Sequence, residues 1–292
     1  MVAGSLRSAR PLVAFVLGGG GSWGATQAGM LLALAEAGIT PGLVVGSSVG
    51  ALNGALFAGS GDVQAAQRLH AIWRGVRRRD IFPVGIGPIL AALTGRRDGL
   101  LATDALGRFI NRNLPFVSLQ DAPIPFHAVA TDAASGATVV LSHGDAGTAL
   151  KASCAIPGLF PPVERDGRVL FDGSIAADLA LGVAANLGAT TIYAMPSART
   201  ATTRPRGALA VALRAADQLI ERGNSQQLQY AAHVVTHVLP APVTTVATVD
   251  FSATEALLRA GYDIASQWLQ SQDQTETEAS NLSSVYPATV SA

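Results

Sequence analysis

This sequence has one cysteine and no net charge, and each of these absences excludes a class of protein. Cys154 is the only cysteine among 292 residues, so the fold cannot depend on an internal disulfide or an oxidising compartment. Twenty basic and twenty acidic residues give a formal net charge of zero. Proteins that bind nucleic acid usually carry a broad positive field, so nucleic acid is not expected as a partner.

Long apolar runs and metal-binding motifs are also missing. No stretch reaches the roughly 18 uninterrupted apolar residues of a membrane-spanning helix, so any membrane contact is expected to be peripheral. Residues 12–17 are apolar, but glycines follow them instead of a cleavage site, which favours a strand over a secretion signal. The five histidines lack the HExxH spacing of a zinc site, so no metal is expected. The expected location is the cytoplasm, with membrane contact at the inner surface.

Short apolar runs alternate with helical patterns along the chain, which is typical of the α/β class. Runs of apolar residues predict strands over residues 12–17, 43–45, 126–130, 138–141, 169–171 and 190–194. Apolar residues at helical spacing predict helices over residues 25–37, 49–58, 63–73, 208–221 and 253–269. Turn-like residues between the third and fourth strands predict a tight connection there.

The domain organisation is predicted to be simple. Nothing in the middle of the chain resembles a linker, so residues 1–270 are expected to form a single domain. Residues 271–292 are polar and are predicted to form a flexible C-terminal tail.

The first motif with a predicted catalytic role is a turn that could present a nucleophile. Gly46-Ser47-Ser48-Val49-Gly50 matches GxSxG and lies between a predicted strand and a predicted helix. Gly46 and Gly50 leave room for the sharp turn of this elbow, and the helix N-terminus favours a developing alkoxide. Ser48 is therefore the predicted nucleophile.

Four consecutive glycines, Gly18 to Gly21, follow the first predicted strand. They leave backbone amides free to approach an anion, as an oxyanion hole requires. Ser22 lies in a second GxSxG match at residues 20–24 and is a rival nucleophile. The run of glycines before Ser22 is better suited to exposing amides than to presenting one hydroxyl.

Residues 19–24 also fit the GxGxxG of dinucleotide-binding proteins. That interpretation expects an acidic residue about 20 positions later to bind the ribose. None occurs between Glu36 and Asp62. A cofactor with a ribose phosphate would not need this acid, so an NADP-dependent reductase stays an alternative.

A serine nucleophile needs a base, and two sources are available. The Ser, acid, His order of α/β-hydrolases would use His233 or His237. That fold has several strands before its nucleophile strand, whereas only one is predicted here before residues 43–45. Asp172 follows a short predicted strand and precedes Gly173. Its carboxylate either faces a cleft at the strand end or bonds its own backbone in a turn, which is the commoner role of a lone Asp-Gly.

Four segments within residues 12–195 resemble the bacterial patatin-like phospholipases. They are GGGGSWG at 18–24, GSSVGALNGAL at 46–56, ASCAIPGLFPPV at 152–163 and FDGS at 171–174. The resemblance implies a three-layer α/β/α sandwich with a mostly parallel central sheet, working without cofactor or metal. It also implies a Ser-Asp dyad of Ser48 and Asp172, with an oxyanion hole formed by Gly19, Gly20 and Gly21.

The function implied by this resemblance is hydrolysis of carboxylic esters of lipids, phospholipid or lysophospholipid, through an acyl-enzyme on Ser48. The chain departs from the family at two places. Trp23 stands where the family commonly has Arg or Lys, so a cation that could meet a phosphate is missing. The DGG or DGA motif is here Asp172-Gly173-Ser174. A catalytically silent lipid-binding member of the same fold is a further alternative.

A basic and apolar stretch leads to a hypothesis about membranes. Arg74 and residues 77–79 precede an apolar segment at 81–95, and Arg96 and Arg97 follow it. Such a neighbourhood is suited to an anionic lipid surface. The alternative is an ordinary core helix with solvated arginines.

Overall fold

The computed structural model describes residues 11–83, 98–201 and 207–285, and a central sheet dominates it. The described strands are β1 (Val13–Leu17), β2 (Leu43–Ser47), β3 (Phe126–Asp132), β4 (Thr138–Leu141), β5 (Val163–Arg165), β6 (Arg168–Asp172), β7 (Thr191–Met195), β8 (Arg199–Thr200), β9 (Val235–Val238) and β10 (Val243–Thr244). Eight of them form the central sheet in the order β5-β6-β3-β2-β1-β7-β9, with β4 paired to β3. Strands β8 and β10 form a separate pair.

The centre of the sheet is parallel and one edge is antiparallel. β1 is parallel to β2 and β7, β2 to β3, and β7 to β9, whereas β3 is antiparallel to β4 and β6. From β1 the chain proceeds through β2 to β3 on one side, and β7 returns to the other side of β1. The carboxyl end of β1 is therefore a topological switch point, where open α/β sheets bind ligands.

Helices cover both faces of the sheet. They are α1 (Gly24–Glu36), α2 (Val49–Phe57), α3 (Val63–Gly75), α4 (Arg78–Ile81), α5 (Asp104–Asn113), α6 (Ala146–Ser153), α7 (Ser174–Ala177), α8 (Leu181–Asn186), α9 (Ala208–Tyr230) and α10 (Thr254–Val285). Helices α1, α2, α3 and α10 pack together on one face, and α8 and α9 pack on the other.

The alternation of side chains along β1 explains how one strand joins two cores. Phe15 and Leu17 belong to the apolar cluster on the α1 side, and Ala14 and Val16 belong to the cluster on the α8 side. All four side chains are fully buried. A strand buried on both faces reads as a continuous apolar run, as predicted. The three-layer α/β/α sandwich with a mostly parallel sheet is confirmed.

The predicted strands lie close to the observed ones, but two helices continue beyond their predicted ends. Helix α9 extends to Tyr230 and α10 to Val285, past the predicted ends at residues 221 and 269. Residues 270–285 contain neither glycine nor proline, so no local signal ends α10 there. The division into a domain at 1–270 and a flexible tail stays a prediction.

Helices α5 and α6 lie outside the predicted elements. Both are short, and neither shows the long apolar period on which helix prediction depends. Helix α6 nevertheless begins at a clear cap, because the Asp145 carboxylate accepts a hydrogen bond of 2.6 Å from the Thr148 amide. The cap is the local signal that could have located this helix.

No helix in the described ranges is both long and apolar enough to cross a membrane. Residues 84–97, which hold most of the segment expected to contact lipid, lie outside the described residues. Ile81 and Phe82 are described and both are buried in the core. These two side chains therefore do not themselves face a lipid surface, and contact through the rest of the segment at 81–95 stays a prediction.

Candidate active site

The turn between β2 and α2 presents Ser48 in a strained backbone conformation. Ser48 has φ 53° and ψ −125°, and it is one of two described residues other than glycine with positive φ. Such a conformation is costly for a residue with a side chain and persists only when the surroundings enforce it. The turn has the geometry of a nucleophile elbow, with the serine at the start of a helix.

The glycines at both ends of the elbow are required by close backbone contacts. A Cβ added at Gly50 would lie 2.5 Å from the Gly18 carbonyl oxygen. A Cβ added at Gly46 would lie 2.6 Å from the Ala51 nitrogen. Because backbone atoms cannot move aside as a flexible side chain does, only glycine fits these two positions.

Strand register brings Asp172 to the elbow. Ser47 lies opposite Val129 in the β2–β3 pair, and Ala130 lies opposite Asp172 in the β3–β6 pair. The Ser48 hydroxyl donates a hydrogen bond of 2.6 Å to Asp172 Oδ2. The two residues are 6% and 4% exposed. The structure therefore brings together the two side chains that the sequence predicted as a dyad.

Burial makes the Asp172 carboxylate more basic than usual. Desolvation is the largest effect and raises its pKa to about 6, with the charge of Asp178 as a smaller contribution in the same direction. Hydrogen bonds from Ser48 and from the Ser174 amide, at 2.9 Å to Oδ1, favour the ionised form and limit the rise. At neutral pH the group is ionised and is a stronger proton acceptor than an exposed carboxylate.

Ser153 holds the backbone of the elbow, and its role was not predicted from the sequence. Its hydroxyl accepts a hydrogen bond of 3.0 Å from the Ser48 amide and donates one of 2.6 Å to the Val129 carbonyl. This bridge ties the nucleophile turn to β3, the strand that lies between Ser48 and Asp172. A serine next to a motif carries no sequence signal of such a role.

The glycine loop after β1 leaves two of its backbone amides without a hydrogen bond to the described residues. Gly20 has φ 141° and Gly21 has φ 57°, both in the region that favours glycine. Within the described part of the chain, neither amide has a hydrogen-bond partner. The other amides of the loop are engaged: Gly18 donates to the Met195 carbonyl, Gly19 to Asp178 Oδ1 and Ser22 to the Thr248 carbonyl.

The C-terminal side of the glycine loop is clamped by three backbone carbonyls. The Trp23 indole donates to the Val246 carbonyl at 2.9 Å, and Ser22 donates to Ala247 from its hydroxyl and to Thr248 from its amide. Trp23 is buried, and its indole hydrogen bond holds the loop in place. The rival nucleophile Ser22 has its hydroxyl committed to a carbonyl, so no carboxylate activates it.

A buried polar network joins the glycine loop to α1 and α2. The Gln27 amide donates to the Gly18 carbonyl at 2.7 Å and to the Met195 carbonyl at 3.1 Å. Asn53 donates to the Gln27 side chain at 2.9 Å and accepts from the Trp73 indole. Buried polar groups that satisfy one another specify a single arrangement. The network therefore fixes the loop relative to the nucleophile helix.

An apolar cavity of about 50 Å³ opens beside Ser48. Its walls include Leu52, Leu56, Trp73, Phe82, Phe160 and Phe251. Phe82 stacks on Phe160 with ring centroids 5.7 Å apart. Cys154 also borders the cavity, and burial raises the pKa of its thiol, which keeps the sulfur protonated.

The alternative sites from the sequence receive less support. The His237 ring packs 5.0 Å from the Tyr193 ring and 5.4 Å from the Trp268 ring, so it does not complete a triad with Ser48. The Gly19 amide already donates to the Asp178 carboxylate, so it is not free to bind the pyrophosphate of a dinucleotide. Among the described residues, no group of three side chains is placed to hold a metal ion.

Comparison with known proteins places this geometry in a family. The family model described as patatin-like phospholipase matches residues 15–185. An uncharacterized NTE family protein of Mycobacterium tuberculosis is 34% identical over 191 residues, which cover 64% of this chain and 49% of that protein. Patatin-like phospholipase domain-containing protein 6 of Homo sapiens is 31% identical over 187 residues, which cover 63% of this chain and 13% of that protein.

The chain thus spans about half the length of the mycobacterial relative and a smaller part of the human one. Among solved structures, VipD from Legionella pneumophila is similar with a TM-score of 0.49 and 15% identity, over 90% of this chain and 67% of that chain. The family model covers more than half of the chain and includes the glycine loop, the elbow and the strand that ends at Asp172. The protein belongs to the patatin-like phospholipase family.

Proposed function

We propose that this protein is a serine acyl hydrolase that cleaves carboxylic esters of lipids. Ser48 is the nucleophile and Asp172 is the base. The observation that supports this most directly is the 2.6 Å hydrogen bond from the Ser48 hydroxyl to a buried carboxylate. Membership of a phospholipase family favours this chemistry over an NADP-dependent reductase.

The dyad performs both halves of the reaction. Asp172 takes the hydroxyl proton as Ser48 Oγ forms a bond to the ester carbonyl carbon. The tetrahedral intermediate then collapses, its bond to the alcohol oxygen breaks, and the departing alkoxide receives the proton from Asp172. A water molecule attacks the acyl-enzyme with Asp172 again as the base, and this step releases the fatty acid and restores Ser48.

The oxyanion hole is assigned to the Gly20 and Gly21 amides. These are the loop amides that have no hydrogen-bond partner in the described part of the chain. The sequence prediction also included Gly19, but its amide already donates to Asp178 at 2.6 Å. An oxyanion hole needs donors that are fixed and free, so Gly19 supports the loop in this proposal.

The apolar cavity beside Ser48 is suited to the acyl part of the substrate. A volume of about 50 Å³ holds a few non-hydrogen atoms, so a long acyl chain requires displacement of wall side chains such as Phe82. The missing cation at Trp23 leaves phosphate recognition without its usual partner in the loop. Lysophospholipids and phospholipids are both retained as substrate classes.

Contact with a membrane surface is part of the same proposal. Arg77, Arg78 and Arg79 are exposed at the start of α4, next to Val76 and Ile81, which border the cavity. An anionic lipid surface would attract these arginines and bring the cavity close to its substrate. The site of action proposed is the cytoplasmic face of a membrane, with peripheral contact.

One experiment tests the hydrolase assignment. Wild type, Ser48→Ala and Ser22→Ala are treated with a fluorophosphonate probe and assayed on a short-chain aryl ester. We expect wild type and Ser22→Ala to be labelled and active, and Ser48→Ala to be neither. Labelling that follows Ser22 would transfer the nucleophile role to the glycine loop. Absence of labelling in the wild type, with NADPH binding, would favour the reductase, and absence of both would favour a silent lipid-binding protein.

A further inference from the structure

The proposed mechanism leaves one partly buried carboxylate unused, and it lies directly beneath the glycine loop. Asp178 Oδ1 accepts a hydrogen bond of 2.6 Å from the Gly19 amide. A Cβ added at Gly18 would lie 3.0 Å from Asp178 Oδ2, so the loop backbone rests against the carboxylate. Asp178 thus contacts the two residues that precede the Gly20 and Gly21 amides.

Asn224 of α9 braces the same carboxylate from the other side. Its amide nitrogen donates to Asp178 Oδ2 at 3.0 Å, and its carbonyl oxygen accepts from the Leu179 amide at 3.0 Å. The second bond fixes which end of the Asn224 side chain faces Asp178. Both carboxylate oxygens are therefore held by donors, one from the loop and one from α9.

Asp178 is also close to the dyad. Ser174 lies between the two carboxylates: its amide donates to Asp172 Oδ1 at 2.9 Å, and its buried hydroxyl has no hydrogen-bond partner among the described residues. The charged groups around Asp178 are Asp172 on one side and Arg199, Arg214 and Glu221 across an open cavity. None of the described basic groups lies within ion-pair distance of Asp178. A partly buried carboxylate without an ion-pair partner is costly, which suggests a role that a neutral residue would not fill.

Resting on the proposed function, we propose that Asp178, braced by Asn224, is a positioning residue that holds the glycine loop so that the Gly20 and Gly21 amides face the developing oxyanion. The carboxylate anchors Gly19, and the amides that follow are thereby directed toward Ser48. Because its charge also raises the pKa of Asp172, the same side chain influences the base. Asp178 touches no reacting atom in this scheme.

Two substitutions separate the anchoring of the loop from the charge. Asp178→Ala removes both, whereas Asp178→Asn keeps a carbonyl oxygen for the Gly19 amide and removes the charge, together with the acceptor for the Asn224 side chain. We expect Asp178→Ala to lower kcat by about 10- to 100-fold with little change in KM, because misaligned oxyanion donors act on the transition state. We expect Asp178→Asn to recover much of that loss. Both variants should move the acid limb of the kcat/KM profile to lower pH.

Asn224→Ala provides a second perturbation that leaves the carboxylate in place. It removes the brace at the edge of the cavity, and we expect kcat to fall by roughly 3- to 10-fold from loss of loop alignment. Gln226→Ala, exposed on the same helix, is the matched control and should behave as wild type. If Asp178→Ala fails to fold by circular dichroism, the Asn224 and Asp178→Asn results decide the proposal.

The measurement begins with fluorophosphonate labelling of Ser48 in the wild type. If the wild type is not labelled, the proposed function fails and the role of Asp178 fails with it. If the wild type is labelled, and the folded Asp178→Ala and Asn224→Ala variants keep wild-type kcat, the positioning role alone is overturned. A fall in kcat without movement of the acid limb in either Asp178 variant would also overturn it, since loss of fold stability alone does not shift that limb.

Discussion

Replacement of Asp172 by Asn is expected to abolish hydrolysis and to stabilise the folded protein at neutral pH. Burial raises the pKa of this carboxyl from 3.8 to about 6. The folded state therefore binds the proton more tightly than the unfolded chain, and ionisation destabilises the fold as pH rises through this range. With about 1.4 kcal/mol per pKa unit, the cost grows from well under 1 kcal/mol at pH 4 to about 3 kcal/mol at pH 8.

Asn removes this cost without emptying the site. Its carbonyl oxygen can accept from the Ser174 amide, and its nitrogen can donate to the Ser48 hydroxyl, which reverses the direction of that bond. The free energy of unfolding of wild type and Asp172→Asn is measured by urea denaturation at several values between pH 4 and pH 8. We expect the variant to gain stability relative to wild type as pH rises, by up to about 3 kcal/mol.

The test compares the free energies of unfolding of wild type and Asp172→Asn, because all other titrating groups are common to both proteins. A stability difference that stays constant across this pH range would refute the argument that burial destabilises the ionised Asp172. A larger stability gain of the variant at pH 4 than at pH 8 would also refute it, because the predicted gain increases with pH.

Three further predictions concern the elbow, the base and the arginines of α4. Gly50→Ala should destabilise the protein by about 1–3 kcal/mol or more, measured by thermal unfolding, and should abolish probe labelling, because the new Cβ meets the Gly18 carbonyl. The wild-type kcat/KM for an aryl ester should fall about tenfold per pH unit below about pH 6, where Asp172 becomes protonated. Replacing residues 77–79 with Gln should weaken sedimentation with phosphatidylglycerol vesicles by up to about 100-fold, at roughly 1 kcal/mol per arginine.

Each of these predictions has its own control. Gly75→Ala is matched to Gly50→Ala, since a Cβ added at Gly75 meets no atom within 4 Å, and it should keep wild-type activity and stability. An acid limb centred at pH 4 or below would contradict the raised pKa of Asp172. For the arginines, phosphatidylcholine vesicles and the soluble aryl ester serve as controls, and equal loss on both kinds of vesicle would contradict an electrostatic contact.

Local chemistry explains why the elbow could be predicted from sequence. The elbow combines neighbouring elements: a strand, a glycine, a serine, a second glycine and a helix. The turn around Ser48 depends on contacts within that segment and with β1. The partner was harder to predict, because Ser48 and Asp172 are 124 positions apart. Their contact depends on the register of two strand pairs. Before the structure, the position of Asp172 at a strand end made it a candidate, and the family resemblance paired it with Ser48.

The support of the glycine loop was beyond the reach of sequence patterns. Asp178 and Gly19 are 159 positions apart, and Asn224 lies in a helix whose predicted end came before it. An aspartate four residues beyond Ser174 has the same local pattern whether it faces solvent or a loop amide. Likewise, four glycines indicate exposed amides, but which of these amides are free depends on the acceptors that surround them.

The carbonyl clamp on Ser22 and Trp23 comes from residues 246–248, outside the segment at 15–185 that matches the family. Every residue has the same backbone carbonyl. The side chains of this stretch can therefore change during evolution while its carbonyls still bind the loop, provided that the backbone conformation is conserved. Sequence similarity would be lost in this stretch while the hydrogen bonds that support the loop are kept. Relatives that diverge beyond the shared segment can therefore preserve the loop with unrelated residues.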